Sequence, residues 1–294
     1  MAMTSLDHVF AGLKTPRLAI KSTSNVTDNR WKSSWGNSGD FGNGVYDTSL
    51  NGAVITGATV GSFQRENPAS GGAYISEAIG ALANAGSRAG IIQICDRLWS
   101  NQIDRASVLP QTIVMPAPAA TRCPTSFVDA SPEAGGTFLG FGTRIGVEIS
   151  VGTSSGSAVT CEVTYTNSAS SSRTAAVSIP TTTYAGDFFL LPLQAGDTGV
   201  KTITSVSLSG TMTVGTVNLV LYRPVLPLQL HTPFSISSTA SLTCGGAVNV
   251  LTGAGQRIYN DSALFWIHMM NSGTSTALTS TAYNHYLSLR ETHG

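Results

Sequence analysis

Short apolar runs recur roughly every ten residues along most of this chain, and turn-forming residues separate them. The clearest run is 144–151. There Ile145, Val147, Ile149 and Val151 alternate with Arg144, Gly146, Glu148 and Ser150, the period-two signature of a half-buried strand. Similar runs fall at 111–115, 137–151, 159–166, 174–179, 187–193, 200–208 and 211–222. In 216–222, Val217, Leu219 and Leu221 face one side and Val220 and Tyr222 the other, so cover is expected on both faces. Gly152-Thr153-Ser154-Ser155-Gly156, Asn167-Ser168-Ala169-Ser170, Ala195-Gly196-Asp197 and Ser209-Gly210 supply the turns. Many short strands at this spacing predict an all-β chain folded as a β-sandwich or jelly roll.

The two ends of the chain read differently. Leu6, Val9, Phe10 and Leu13 lie on one helical face, Thr4 or Ser5 can cap it, and Pro16 stops it. The expected organisation is a short docking helix at 1–20, an extended arm at 21–72, a sandwich core at 73–224 and closing strands or a β appendage at 225–294. The arm is rich in glycine, yet Trp31, Trp35, Phe41 and Tyr46 punctuate it. Disordered segments are poor in such rings. These four, with Phe10 and Leu13 of the helix, are the expected subunit-contact anchors, the alternative being that helix and rings pack on their own subunit. Residues 74–99 are expected to form a hairpin. Pro224 and Pro227 mark a joint, beyond which 248–251, 262–270 and 282–289 are again strand-like.

Only 11% of the residues are charged, against roughly 25% in an ordinary globular domain. Sixteen basic and sixteen acidic residues cancel, so no net field draws in nucleic acid or an anionic membrane. A neutral surface of this kind suits a chain covered by its neighbours. The first residues lack the basic and apolar regions of a signal peptide, so use within a cytoplasm, or release by lysis, is expected. Cys95, Cys123, Cys161 and Cys244 are widely spaced and read as buried thiols.

Sites of chemistry are sparse. Gly152 to Gly156 fits G-x-S-x-G, but a strand and not a helix follows, so a hairpin turn is the better reading. Gly140-Phe141-Gly142 lacks the rest of a dinucleotide fingerprint and reads as a bulge or a close backbone approach. His8, His231, His268, His285 and His293 have no metal-site spacing, and His268 reads as a core or interface group. Glu133, Glu148, Glu162, Asp187 and Asp197 could supply a glycosidase pair only if the fold brought two together across a cleft. No catalytic residue, cofactor or metal ligand is therefore assigned, and no enzymatic activity is expected. Asp96 and Arg97, at the end of an apolar run beside Trp99, read as a structural ion pair.

Four segments carry a resemblance: Cys95-Asp96-Arg97-Leu98-Trp99; Val163-Thr164-Tyr165-Thr166-Asn167 with Arg173-Thr174-Ala175; Leu193-Gln194-Ala195-Gly196-Asp197-Thr198-Gly199-Val200; and Arg257-Ile258-Tyr259-Asn260-Asp261-Ser262-Ala263-Leu264. In this order, over residues 67–270, they resemble a family of tailed-bacteriophage virion structural proteins. The resemblance implies a virion component assembled in the host cytoplasm, with no catalytic residues to carry over. The expected role is capsid-associated, as a decoration (cement) protein or a minor head or collar protein. The expected partners are the major capsid protein or head and tail neighbours, together with further copies of the chain as a homo-oligomer, a trimer being the expected closure. No nucleic acid or membrane is expected as a partner. The alternative role is a tail-tip or receptor-binding module.

Overall fold

The computed structural model describes residues 16–23, 32–34, 38–39, 52–56, 72–82, 87–122, 137–231, 257–258, 262–272 and 283–292, with side chains placed at 52–56, 93–120, 122, 137–227, 262–267 and 269. In chain order the strands are β1 (Pro16–Thr23), β2 (Lys32–Ser34), β3 (Ser38–Gly39), β4 (Gly72–Leu82), β5 (Ser87–Ile103), β6 (Gln111–Thr112), β7 (Arg144–Val151), β8 (Val159–Asn167), β9 (Ser172–Ile179), β10 (Phe188–Leu190), β11 (Val200–Leu208), β12 (Thr216–His231), β13 (Arg257–Ile258), β14 (Leu264–Ser272) and β15 (Tyr283–Thr292). Among the described residues a 3-10 turn, Ala120–Arg122, accompanies them. The chain forms two compact units, the first from Met1–Val45, Gly57–Cys95 and Val225–Gly294, the second from Tyr46–Thr56 and Asp96–Pro224.

The second unit is an eight-stranded jelly roll. One sheet runs β10-β7-β12-β5 and the other β6-β11-β8-β9. Numbered one to eight from β5 to β12, the strands fall as 6-3-8-1 in one sheet and 2-7-4-5 in the other. Apart from the β8–β9 hairpin, successive strands are thus dealt between two sheets, as in the double Greek key of a jelly roll. Alternation explains the core. Ile145, Val147 and Ile149 of β7 and Val217, Leu219 and Leu221 of β12 meet Val159, Cys161, Val163 and Tyr165 of β8 and Val200, Ile203, Val206 and Leu208 of β11. All are buried, and each large aliphatic side chain contributes about 1.5–3 kcal/mol. Cys161 belongs to this core, and burial pushes its thiol pKa up to about 12, so it stays an unreactive thiol at neutral pH.

The sheet containing β7 and β12 is covered on its other face too. Val220 and Tyr222 are buried, in keeping with the two-faced pattern of 216–222. The Phe188 ring lies against Gly146, where a Cβ would come within 2.2 Å of it. It also meets Tyr222 edge-on, with ring centroids 5.6 Å apart at 78°.

The first unit contains the sheet β13-β4-β15-β1-β3. Its longest ladder joins β4 to β15, from Gly72↔Thr292 to Leu82↔Tyr283. β1 pairs with the other edge of β15, from Pro16↔Arg290 to Thr23↔Tyr283. In the same unit β14 pairs with β2 through Trp266↔Ser34 and its neighbours.

Several expectations change. Strands occur at 72–82 and 87–103, but they do not form the expected 74–99 hairpin: the sheet neighbours of β4 are β13 and β15. β5 continues unbroken to Ile103 and belongs to a different sheet from β4. β12 runs through both Pro224 and Pro227, and the boundary between the units falls at Pro224. Residues 152–156 connect β7 to β8, which lie in different sheets, so they are a crossing and not a hairpin turn. Residues 52–56, read as arm, lie along β5: Gly52 N donates to Ser100 O at 2.8 Å and Ile55 N to Leu98 O at 2.8 Å. The expected helix at 6–13 lies outside the described residues, and 16–20 belong to β1.

Gly140 and Gly199 make the close backbone approach. Gly140 has φ +76°, and a Cβ on Gly199 would stand 2.0 Å from Gly140 O and 2.9 Å from Gly142 N. The Thr143 hydroxyl sits at the same crossing, 2.6 Å from Gly140 O and 2.8 Å from Val200 O, and accepts from Val200 N at 2.9 Å. Backbone cannot step aside as a side-chain tip can. Gly199→Ala is therefore expected to lower unfolding stability by about 1–3 kcal/mol, read as the denaturant midpoint. An unchanged midpoint would show that the crossing is loose.

Candidate functional site

Asp96 and Arg97 are fully buried. Neighbours in a strand project to opposite faces, so the expected pair resolves into two separate pairs. Arg97 forks onto Glu148, with Nη1 to Oε1 at 3.0 Å and Nη2 to Oε2 at 2.6 Å. Its Nη2 also donates to Ser100 Oγ at 3.0 Å, and Ser100 Oγ donates to Leu219 O. Because β12 lies between β5 and β7, this pair reaches across the central strand. Asp96 takes Arg122 on one oxygen and faces Arg223 Nη2 at 3.7 Å on the other. Arg122 further donates to Ile55 O and to Arg97 O, so it fastens 52–56 and its own turn to β5.

A second cluster closes one end of the sandwich, where the turn at 168–171 and the connection at 191–199 meet. Asp197 accepts from Tyr165 Oη at 2.5 Å and from Asn167 Nδ2 at 2.6 Å, with Arg173 Nε at 3.5 Å. Tyr165 Oη in turn accepts from Gln194 N, and Asn167 Oδ1 from Ser171 N. Ser170 takes a left-handed conformation in this turn, with φ 63°. Burial alone would raise the Asp197 pKa, but the Tyr165 and Asn167 hydrogen bonds and the Arg173 charge outweigh it and hold the carboxyl below its usual range. Burial, then the bond to Asp197, raises the Tyr165 pKa.

The opposite end gathers the connections 104–110, 152–158, 180–187 and 209–215. They are knitted together. Thr153 and Thr183 share a hydroxyl contact at 2.7 Å, as do Ser154 and Thr213. Arg105 donates from Nε to Gly215 O at 2.7 Å and from Nη1 to Met212 O at 2.9 Å. Val108, Leu109, Val151, Tyr184 and Val214 stand here, each more than half exposed. They are five of the six large apolar side chains exposed among the described residues; the sixth, Val114, follows the edge strand β6.

Sequence reasoning missed Arg122, the role of Glu148 and this apolar end. Glu148 carried a signal, as the one acid in the strand 144–151. The remaining acids divide between interior and surface. Asp187 is buried and accepts from Tyr184 N, whereas Glu162 is exposed on β8; Glu133 lies outside the described residues. Among the described residues no group of three His, Cys, Asp or Glu could hold a metal ion. Phe10, Leu13, Trp31, Trp35, Phe41 and Tyr46 also lie outside the described residues.

Comparison with known proteins adds little. No family model matches the chain, and no curated protein matches it. Among solved structures it is similar to the infectious bursal disease virus VP2 subviral particle, at 10% identity and TM-score 0.21, over 95% of this chain and 81% of that one. It is also similar to the structure of the Gx strain of that virus, at 11% identity and TM-score 0.19, over 95% and 80%. Likeness this weak carries no argument about function, and the jelly-roll assignment rests on strand order.

The Asp197 carboxylate stabilises the fold only while ionised. With its folded pKa depressed, that contribution is present above the unfolded value and is lost as pH falls through the folded one. Thermal stability is expected to drop below about pH 4, and Asp197→Asn to flatten that acid limb. An identical acid limb in the variant would remove Asp197 from this role.

Proposed function

We propose that this chain is a non-enzymatic structural component of a tailed-phage virion. Its place is at the capsid, as a decoration (cement) protein or a minor head or collar protein. The observation that carries the reading is the distribution of side chains on the jelly roll. Among the described residues the buried Arg97 and Asp96 are paired internally with Glu148 and Arg122, and five of the six large exposed apolar side chains stand at one end. A fold implies no function, but this arrangement presents contact surface. The low charge and the four-segment resemblance to phage structural proteins point the same way. Neighbouring virion subunits are the partners.

A second reading, a tail-tip or receptor-binding module, draws on the Tyr184 ring standing in a loop of a rigid sandwich, as recognition loops often do. Quantitative mass spectrometry of purified particles separates the two. Copies comparable in number to the principal shell protein are expected for a decoration protein. A small complement fixed by a collar or tail favours the minor or receptor-binding role. Absence from particles overturns the virion reading.

A further inference from the structure

We infer that the four-loop end of the jelly roll is a self-association surface that takes the same end of further copies of this chain. The inference rests on the structural reading above and names the partner. Its first support is the placement of Val108, Leu109, Val151, Tyr184 and Val214, which are spread over or beside all four connections. Large apolar side chains exposed together at one end mark an interaction site, whereas singly scattered ones do not.

The second support is charge. Residues 104–110, 152–158, 180–187 and 209–215 include only Asp104, Arg105 and Asp187 as charged residues. Arg105 is turned onto Gly215 O and Met212 O. Asp187 is buried, and Asp104 Oδ1 accepts from Ala106 N at 2.9 Å. A nucleic acid or an anionic membrane would find no field here. An identical copy brings Asp104 as the one exposed acid of these segments, with Arg105 beside it, so like-charge opposition is small, and the chain as a whole has zero net charge. Copies therefore approach without long-range repulsion.

The third support is preorganisation. The hydroxyl contacts Thr153–Thr183 and Ser154–Thr213, with Thr183 N to Thr153 O at 3.0 Å and Thr213 N to Ser154 O at 2.8 Å, hold the loops before any partner arrives. Little ordering entropy is then lost on docking. The opposite end differs, since its polar groups close on Asp197.

The test uses the purified full chain in sedimentation velocity over a concentration series. The natural chain is expected to form a concentration-dependent oligomer. Leu109→Lys and Val214→Lys, each placing a charge on an already exposed site, are expected to weaken it by about tenfold or more. Val114→Lys, away from this end, is expected to leave it unchanged. A natural chain that stays monomeric overturns the inference, as does an oligomer indifferent to both end variants. So does a monomeric chain whose end variants lose incorporation into particles, since the partner is then another virion protein. Dissociation by the end variants upholds the inference even for a chain absent from particles, which separates it from the virion reading.

Discussion

The interaction on which the sandwich depends is the Arg97–Glu148 pair. It is bidentate, buried, and reaches from β5 to β7 across β12. A buried pair of this kind contributes little net stability, but removing one partner leaves an uncompensated charge. Its value lies in geometry: β5 and β7 can hold only the spacing and register that let the fork close. Asp96, on the other face of the same strand, fastens Arg122 and with it residues 52–56. Two adjacent residues of β5 therefore join one sheet internally and attach to it a segment from forty residues earlier.

That internal bookkeeping shapes the surface. Only 11% of the residues are charged, and the Arg97–Glu148 and Arg122–Asp96 pairs take four of them into the interior. The two ends of the jelly roll then diverge. At one, Tyr165, Asn167 and Arg173 converge on Asp197, which joins the β8–β9 turn to the connection before β11. At the other, loop backbones are tied by Ser and Thr hydroxyls and by Arg105, while the apolar side chains are left outward. An end with exposed valines, a leucine and a tyrosine is suited to contact, and it is the surface on which the proposed self-association rests.

Much of the sandwich was legible in the sequence. The alternation in 144–151 gave β7 and its inward face, and the strands at 159–167, 172–179 and 200–208 fell where turn residues bracketed apolar runs. The pairing of strands was less legible, because a local hairpin and a long-range ladder look alike in period. β4 is the case in point, since its ladder is with β15, some two hundred residues away. β12 outran expectation because proline usually ends a strand, yet it continues past Pro224 and Pro227. At the candidate site, Asp96 and Arg97 stood out by being charged in an apolar run. Their partners could not be read, since Glu148 and Arg223 reach them through the long-range order of β7, β12 and β5 in one sheet, and Arg122 from a separate turn. The exposed apolar residues were also hidden, because valine in a loop and valine in a core are the same letter.

The most direct measurement is a double-mutant cycle on Arg97→Met and Glu148→Leu, read by equilibrium unfolding. Each single change is expected to cost about 3–5 kcal/mol by stranding the other charge. The double variant is expected to lose clearly less than their sum, with a coupling of about 1–3 kcal/mol or more. Strictly additive losses would contradict the account, for they would mean that the two side chains do not depend on each other across β12.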